Sequence, residues 1–237
     1  MNVPYEEKDT VKSMGAKWNP SLKKWYYEGP VIDYIRFAKW ITEERELTFI
    51  ACNDIFILEG MRTCFKCEKP TRVIGLGINE HVMLFQRDDG SYEIDVIENY
   101  EGWEPLHVGW VEDEEDIPPA LLRYLLKNYN VRKGFSKTAG ECFANHCDSC
   151  GVIQGNYHLF EEDSPLMVLI PDCPEVKKRI SELKIYCIGI DDDIVLDWNI
   201  GYGDNDGLYF KYGTIEYLSI LPDKPDDDVV TYEELFK

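Results

Sequence analysis

Two pairs of cysteines with the spacing C-x-x-C constrain this chain more than any other feature. The first pair is Cys64 and Cys67, and the second is Cys147 and Cys150, which Gly151 follows. In each pair one tight turn can present two thiolates to the same ion, and the glycine suits such a turn because it adopts positive φ without strain. Four thiolates form the closed tetrahedral set that structural zinc prefers. We therefore predict a structural Zn²⁺ site at Cys64, Cys67, Cys147 and Cys150.

Seventy-nine residues separate the two pairs, far more than the short spacer of a compact zinc ribbon. The predicted site is therefore split, with each turn followed by a strand-like run, at 72–76 and at 152–159. Two alternatives stay open: the pairs are unrelated thiols, or Cys142 or His146 replaces one ligand. Four cysteine ligands leave no open position for water, so we expect the site to be structural and not catalytic.

Cysteine usage and the amino-terminal segment favour a reducing compartment. Eight cysteines in 237 residues are fewer than a small secreted disulfide scaffold carries, and paired cysteines in a reducing compartment more often signal metal. The first ten residues contain no apolar stretch of the signal-peptide kind, and the longest apolar runs are far too short to span a bilayer. We expect a cytoplasmic protein that does not enter a membrane.

The charge of the chain is large, negative and uneven. With 45 acidic and 25 basic residues the formal charge is -20, which argues against a protein that wraps nucleic acid over its whole surface or docks on an anionic membrane. Residues 1–40 hold seven basic and five acidic residues, so they carry +2 and the rest of the chain carries -22. Contact with nucleic acid at the amino-terminal end therefore stays open.

Periodicity and turn residues predict an α+β protein. In the first 44 residues we predict a short strand at 2–5, a short helix at 8–16, a hairpin at 17–27 and an amphipathic helix at 31–41. Further helices are predicted after Ile117-Pro118-Pro119 and over 174–183, each with proline near its start. The other predicted strands are 47–58, 72–77, 81–87, 92–97, 105–111, 152–170, 185–190, 194–198, 207–211 and 214–221.

These elements divide the chain into three predicted segments. Residues 1–44 form a basic and aromatic amino-terminal module with a β-α-β-hairpin-α order. Residues 45–222 form a β-rich zinc-binding body with two or three helices and a split, zinc-ribbon-like site. Residues 223–237 form an acidic tail, and an acidic linker at 112–116 interrupts the body.

The amino-terminal module carries a specific pattern. Residues 3–20 read VPYEEKDxxKxxGAKWNP, and KKWY follows at 23–26. The pattern resembles a small uncharacterised domain that accompanies primases of conjugative plasmids, antirestriction-type proteins and other mobile-element proteins. The segment CxxCGxxQGN at 147–156, together with the first pair, resembles zinc-knuckle segments of uncharacterised bacterial proteins that carry the same module. The resemblance implies association with DNA transactions, and it carries over no enzymatic activity.

Basic and aromatic side chains alternate on the predicted hairpin. A platform for single-stranded nucleic acid needs both, because bases stack on aromatic faces and phosphates pair with lysine. The candidate nucleic-acid-binding residues are Lys17, Trp18, Lys23, Lys24, Trp25 and Tyr26. The alternative is that Trp18 and Trp25 are the core of a small unit whose lysines are solvated at its rim.

The function that best fits these features is that of a non-enzymatic, zinc-stabilised binding protein linked to mobile DNA. Its partner would be single-stranded nucleic acid or a basic DNA-binding protein. One alternative is an acidic protein partner or DNA-mimic inhibitor, whose charge would occupy the basic cleft of a DNA-processing protein. Another is an enzyme with an unrecognised site, although the chain has no phosphate-binding glycine loop, G-x-S-x-G or H-E-x-x-H motif. The oligomeric state is not fixed by the sequence.

Overall fold

Two β-sheets, of six and four strands, form the body, and two separate two-stranded hairpins accompany them. The computed structural model describes residues 1–20, 23–43, 45–100, 102–111, 113–137, 140–196 and 198–220. Its strands are β1 (Lys17–Asn19), β2 (Lys24–Tyr26), β3 (Leu47–Ala51), β4 (Asp54–Thr63), β5 (Pro70–Ile78), β6 (His81–Gln86), β7 (Tyr92–Ile97), β8 (His107–Val111), β9 (Val131–Ser136), β10 (Gly140–Asn145), β11 (Lys184–Gly189), β12 (Ile194–Leu196), β13 (Trp198–Ile200) and β14 (Thr214–Tyr217). Its helices are α1 (Lys8–Ser13), α2 (Ala38–Ile41), α3 (Pro119–Asn128), α4 (Tyr157–Phe160), α5 (Pro174–Ser181) and α6 (Leu208–Tyr212), with 3-10 turns at Tyr5–Glu7, Val31–Phe37 and Glu114–Asp116. The predicted α+β class and β-rich body are confirmed.

The six-stranded sheet forms one wall of the main hydrophobic core. Its strand order is β13-β8-β5-β4-β11-β14, and all neighbours are antiparallel except β11 and β14. Helices α3 and α5 add Leu121, Leu125 and Val176 to this core. Both helices were predicted from proline at the first turn and from one apolar face. None of the helices that the structure describes is long and apolar enough to cross a membrane.

The four-stranded sheet has the order β12-β3-β6-β7, and its strand β3 contributes apolar residues to two cores. Neighbouring residues of β3 point in opposite directions, as strand geometry requires. Phe49 therefore joins the main core, whereas Ile50 joins Val82 and Leu84 in a second core. The amino-terminal module completes that second core with residues such as Phe37. The module thus packs onto the body through this shared core.

Several predicted elements differ in the structure. Residues 2–4 form no strand, and a 3-10 turn follows them. The predicted strand 47–58 is two strands, because the chain turns at Asn53, where φ is +67°. The amphipathic segment 31–41 begins as 3-10 helix and only its last turn is α-helical.

Two predicted strands of the body are wrong. In the segment 152–170 the structure has an isolated bridge at Ile153 and the short helix α4, and the segment 207–211 falls largely in α6. The first run is rich in aliphatic residues and the second in aromatic residues, and both compositions resemble that of a strand. Tyr209 instead occupies a buried helical position, from which its hydroxyl donates to the Leu166 carbonyl at 2.7 Å.

The hairpin β9–β10 was not predicted at all. Most residues of β9 are exposed or half-buried, so its apolar alternation is weak. The predicted acidic linker, of which 113–116 are described, is a 3-10 turn held against this hairpin. Lys133 of β9 lies 3.3 Å from Asp113 and 3.1 Å from Glu114. The predicted tail at 223–237 lies outside the described residues.

Candidate metal centre and amino-terminal cleft

The two cysteine pairs occupy two tight turns at the ends of paired strands. The first turn joins β4 to β5. The second follows β10, and a bridge between His146 and Ile153 closes it. The run after the first pair is a strand as predicted, but the run after the second pair is not.

The same backbone hydrogen bonds form in both turns. The N–H of the first cysteine donates to the carbonyl five residues on, at 2.9 Å for Cys64 and 2.8 Å for Cys147. The carbonyl of that cysteine accepts the N–H four residues on, at 2.9 Å in both turns. The donor of this second bond has positive φ, +59° at Glu68 and +68° at Gly151. Glycine meets this demand without strain in the second turn, whereas glutamate must adopt the same conformation in the first.

The four sulfur atoms come together in one compact group. The Sγ atoms of Cys64 and Cys150 lie 3.8 Å apart, and those of Cys67 and Cys147 lie 3.6 Å apart. All four sulfurs lie within 4.8 Å of one another. A tetrahedron with metal–sulfur bonds of about 2.3 Å has edges of about 3.8 Å. The group could therefore hold a metal ion, as the spacing of the sequence predicts.

Backbone N–H groups aimed at the sulfurs prepare this group for a cation. Burial alone would raise the pKa of the Cys64 thiol, but the N–H groups of Cys67 and Lys66 outweigh burial and lower that pKa to about 6. Burial also opposes ionisation of Cys147, and the N–H groups of Cys150 and Ser149, 3.5 and 3.3 Å from its sulfur, lower its pKa in the same way. A thiolate that accepts two N–H groups is a ready metal ligand.

The thiol of Cys67 behaves in the opposite way. The N–H of Lys69 favours its thiolate, but burial and hydrogen bonds with the neighbouring thiols raise its pKa to about 11. Without a cation at neutral pH, the thiol of Cys67 would therefore keep its proton, whereas that of Cys64 would release its proton. A divalent ion would displace the remaining protons, so metal binding would release protons.

Buried polar contacts fix the second turn against β5. The side-chain amide of Asn145, almost fully buried, accepts the N–H of Ile74 at 2.8 Å and donates to its carbonyl at 2.9 Å. The carboxylate of Asp148 accepts the N–H of Arg72 at 3.0 Å, and the N–H of Asp148 donates to the Thr71 hydroxyl at 2.9 Å. These contacts join the second turn to β5 without involving the sulfur atoms.

The alternative ligands lie outside the group of four. His146 is buried with its Nδ1 2.9 Å from the Ala144 carbonyl oxygen. Cys142 is paired with Gly134 across the β9–β10 hairpin. Neither belongs to the cluster of ligand atoms that the described residues form. None of the eight cysteines, all of which the structure describes, forms a disulfide bond.

The predicted nucleic-acid residues lie on the β1–β2 hairpin and in its turn. Cross-strand pairs set its register: Lys17–Tyr26, Trp18–Trp25 and Asn19–Lys24. Trp25 packs on the second core, while Trp18 is 48% exposed. The two indole rings meet edge to face, with 5.7 Å between their centroids. Lys23 and Lys24 are exposed, and Lys17 forms an ion pair with Glu28. Of the two tryptophans that could have formed the core of a small unit, Trp25 therefore packs on a core, whereas Trp18 does not.

A cleft of about 440 Å³ opens between this hairpin and the body. Its aromatic walls come from the module: Trp25, Tyr26, Tyr27, Tyr34 and Phe37. Lys24 also lines it, and Asp192 and Asp193 of the β11–β12 loop form part of the body side. The Tyr34 hydroxyl donates to Asp193 Oδ2 at 2.5 Å, which links module and body at the cleft.

Sequence reasoning missed the parts of the cleft that lie beyond the hairpin. The helical spacing of Tyr34 and Phe37 indicates a packed face, but it does not indicate that the face borders a cleft. The aspartates at 191–193 indicate only a solvated turn. Nothing in the order of the residues brings that turn to the hairpin, because the juxtaposition depends on how the module packs on β3 and β6.

A buried histidine pair lies outside both sites. The rings of His81 and His107 meet at 5.2 Å between centroids. His81 Nδ1 lies 2.6 Å from the Asn79 carbonyl oxygen and His107 Nδ1 lies 2.7 Å from Asp206 Oδ2. Burial lowers the pKa of His81 to about 4, so its imidazole is neutral at physiological pH. His81 is therefore a buried, hydrogen-bonded histidine.

Residues 1–42 match the family model of a domain of unknown function (DUF5710). The chain is also 50% identical over 167 residues to a DNA primase TraC of Escherichia coli, which covers 70% of this chain and 11% of the primase. A second match to DNA primase TraC of Escherichia coli is 46% identical over 43 residues, 18% of this chain and 4% of the primase. The chain thus spans about a tenth or less of these relatives. No solved structure matches it.

Proposed function

We propose that this protein is a non-enzymatic, zinc-stabilised binding protein of the bacterial cytoplasm that is linked to mobile DNA and contacts single-stranded nucleic acid through its amino-terminal module. The observation that carries the proposal is the β1–β2 hairpin, which exposes Lys23 and Lys24 and borders a cleft with aromatic walls that Lys24 also lines. The similarity to a DNA primase supports the same direction. Eight cysteines without a disulfide bond among the described residues fit a reducing compartment.

In this proposal Cys64, Cys67, Cys147 and Cys150 hold one zinc ion. Their sulfur separations fit a tetrahedral ion, and four ligands leave no place for a substrate or water. Bound zinc would supply a cross-link and no reaction. It would tie the β4–β5 turn to the turn after β10, and the binding free energy would add to folding stability.

The hairpin supplies the contacts with nucleic acid. Trp18 offers a half-exposed indole for stacking, and Lys23 and Lys24 offer charge for phosphates. Such binding must weaken as salt rises, because each neutralised phosphate releases counterions.

The test is binding of a fluorescent single-stranded 12-mer, followed by anisotropy over a range of salt concentrations. We expect measurable binding at low salt, and about a 10-fold or greater loss in the double variant Lys23→Glu/Lys24→Glu, with a shallower dependence on salt. The matched control is Lys127→Glu/Lys178→Glu, which makes the same charge change at exposed positions of α3 and α5. Equal losses in the two double variants, or no binding by the unaltered protein, would contradict the proposal.

A second candidate is an acidic partner of a basic DNA-binding protein. The charge of -22 outside the first 40 residues favours it, because such a surface attracts basic clefts at long range. The same oligonucleotide distinguishes the two candidates. A protein that binds no nucleic acid but displaces DNA from a basic DNA-processing protein would be of the second kind.

A further inference from the structure

The two sides of the cleft have unlike chemistry. The module side is aromatic: Tyr26 is exposed, and Trp25, Tyr27 and Tyr34 are half-buried. The body side carries Asp192, which is exposed and has no hydrogen-bond or ion-pair partner among the residues that the structure describes. Asp193 beside it is engaged by Tyr34. A flat ring would meet aromatic walls, and its edge would meet a hydrogen-bond acceptor.

A nucleobase satisfies both sides better than a simple cation does. The cleft volume of about 440 Å³ is within the usual range of small-molecule sites, about 300–1,000 Å³. Aromatic side chains stack on any base, so they contribute affinity but no selectivity among bases. The lining also holds Glu28 and Lys24, and Lys24 suits the phosphate that accompanies a base.

The Asp192 carboxylate on the body side can make the cleft selective among bases. A carboxylate only accepts hydrogen bonds, and it accepts two best when two N–H groups stand side by side. Guanine presents such a pair, N1–H and the N2 amine, on its Watson–Crick edge. Thymine presents one N–H between two carbonyl oxygens, which a carboxylate repels. Adenine and cytosine each present one amine beside a bare ring nitrogen.

We infer that the cleft is a base-selective subsite that takes one unpaired guanine of a single strand, stacked among the module's aromatic rings and held at its Watson–Crick edge by Asp192. This inference rests on the proposed function, because it needs single-stranded nucleic acid at the hairpin. It also gives the acidic body a part in recognition, since the body supplies the selecting group and the module supplies the stacking groups.

The test compares four 12-mers of thymidine that carry dG, deoxyinosine, dA or dT at one central position. Anisotropy at constant low salt should give about 10-fold tighter binding for dG than for dT, since a good two-bond base contact discriminates by that order. Deoxyinosine lacks the N2 amine, so it should fall between dG and dT. Asp192→Asn should reduce the preference for dG to about 2-fold or less.

The matched control is Asp191→Asn, which removes the same charge from the same exposed loop but at a position outside the cleft lining. It should leave the dG preference intact, and thermal unfolding should be unchanged in both variants. Salt-dependent binding without any dG preference, or equal effects of the two variants on it, would overturn the inference and leave the proposed function standing. No binding of any 12-mer would overturn the proposed function, and this inference with it.

Discussion

The cysteine centre and the amino-terminal cleft are built in opposite ways. The centre uses one residue type in two turns, and each turn makes the same backbone bonds by itself. The cleft combines different residue types from the module and from a distant loop of the body. The first site depends on local spacing and should be needed for stability. The second depends on how two parts pack together and should be needed for binding, so the two can be perturbed separately.

Removal of metal should have the largest effect. Stripping the protein with a strong chelator at neutral pH should lower its free energy of unfolding by about 4 kcal/mol or more, because the closed four-cysteine site couples ligand binding to folding. The measurement is thermal unfolding with and without chelator, and the melting temperature should fall by about 10 °C or more. Readdition of zinc, but not of magnesium, should restore it. An unchanged melting temperature would contradict the view that the cysteine centre is the site needed for stability.

The buried amide beside the second turn should be the next most costly to remove. Asn145→Ala leaves the N–H and the carbonyl of Ile74 buried without partners, so we expect a loss of about 2–4 kcal/mol in the free energy of unfolding. Chemical denaturation measures it. Oligonucleotide affinity of the folded variant should not change, since the cleft lies elsewhere. A matched loss of affinity would show that the two regions are not separable.

The smallest effect on stability should come from the hairpin tryptophan. Trp18→Ala removes a half-exposed ring, so unfolding should change by about 1 kcal/mol at most. Affinity for single-stranded DNA should fall by about 10-fold, because stacking on one aromatic ring contributes roughly that much. Tyr217→Ala is the control, since Tyr217 is an exposed ring of the body. A loss of the same size in the control would argue against the hairpin as the binding surface.

The fold was predictable where apolar spacing is strong. Helix α3 has its buried leucines on one face after two prolines, and β5, β6 and β7 lie between clear turn residues. The hairpin β9–β10 was not predicted, because its outward face is charged and only a short stretch of its inward face is apolar. Helix α6 was mistaken for a strand because its aromatic residues suit either structure, and only tertiary contacts of Tyr209 decide.

The two sites were predictable to different degrees for the same reason. Cysteine ligands can be recognised in a sequence by residue type and spacing. The 79 residues between the pairs do not keep the sulfurs apart, because Asn145 and Asp148 hold the second turn beside β5. Neither of these contacts was visible in the sequence. Of the six hairpin residues that the sequence suggests for nucleic acid, Lys24, Trp25 and Tyr26 line the cleft. Asp192 was not predicted, since no local pattern indicates which surface a solvated loop faces.

Zinc content of the purified protein tests the central claim most directly. Elemental analysis should find one zinc ion per chain in the unaltered protein and none after gel filtration in Cys150→Ser, whose exposed position makes lost packing a small concern. Cys52→Ser, which changes a partly buried cysteine outside the cluster, should keep its zinc. Absence of zinc from the unaltered protein, or full retention in Cys150→Ser, would contradict the account.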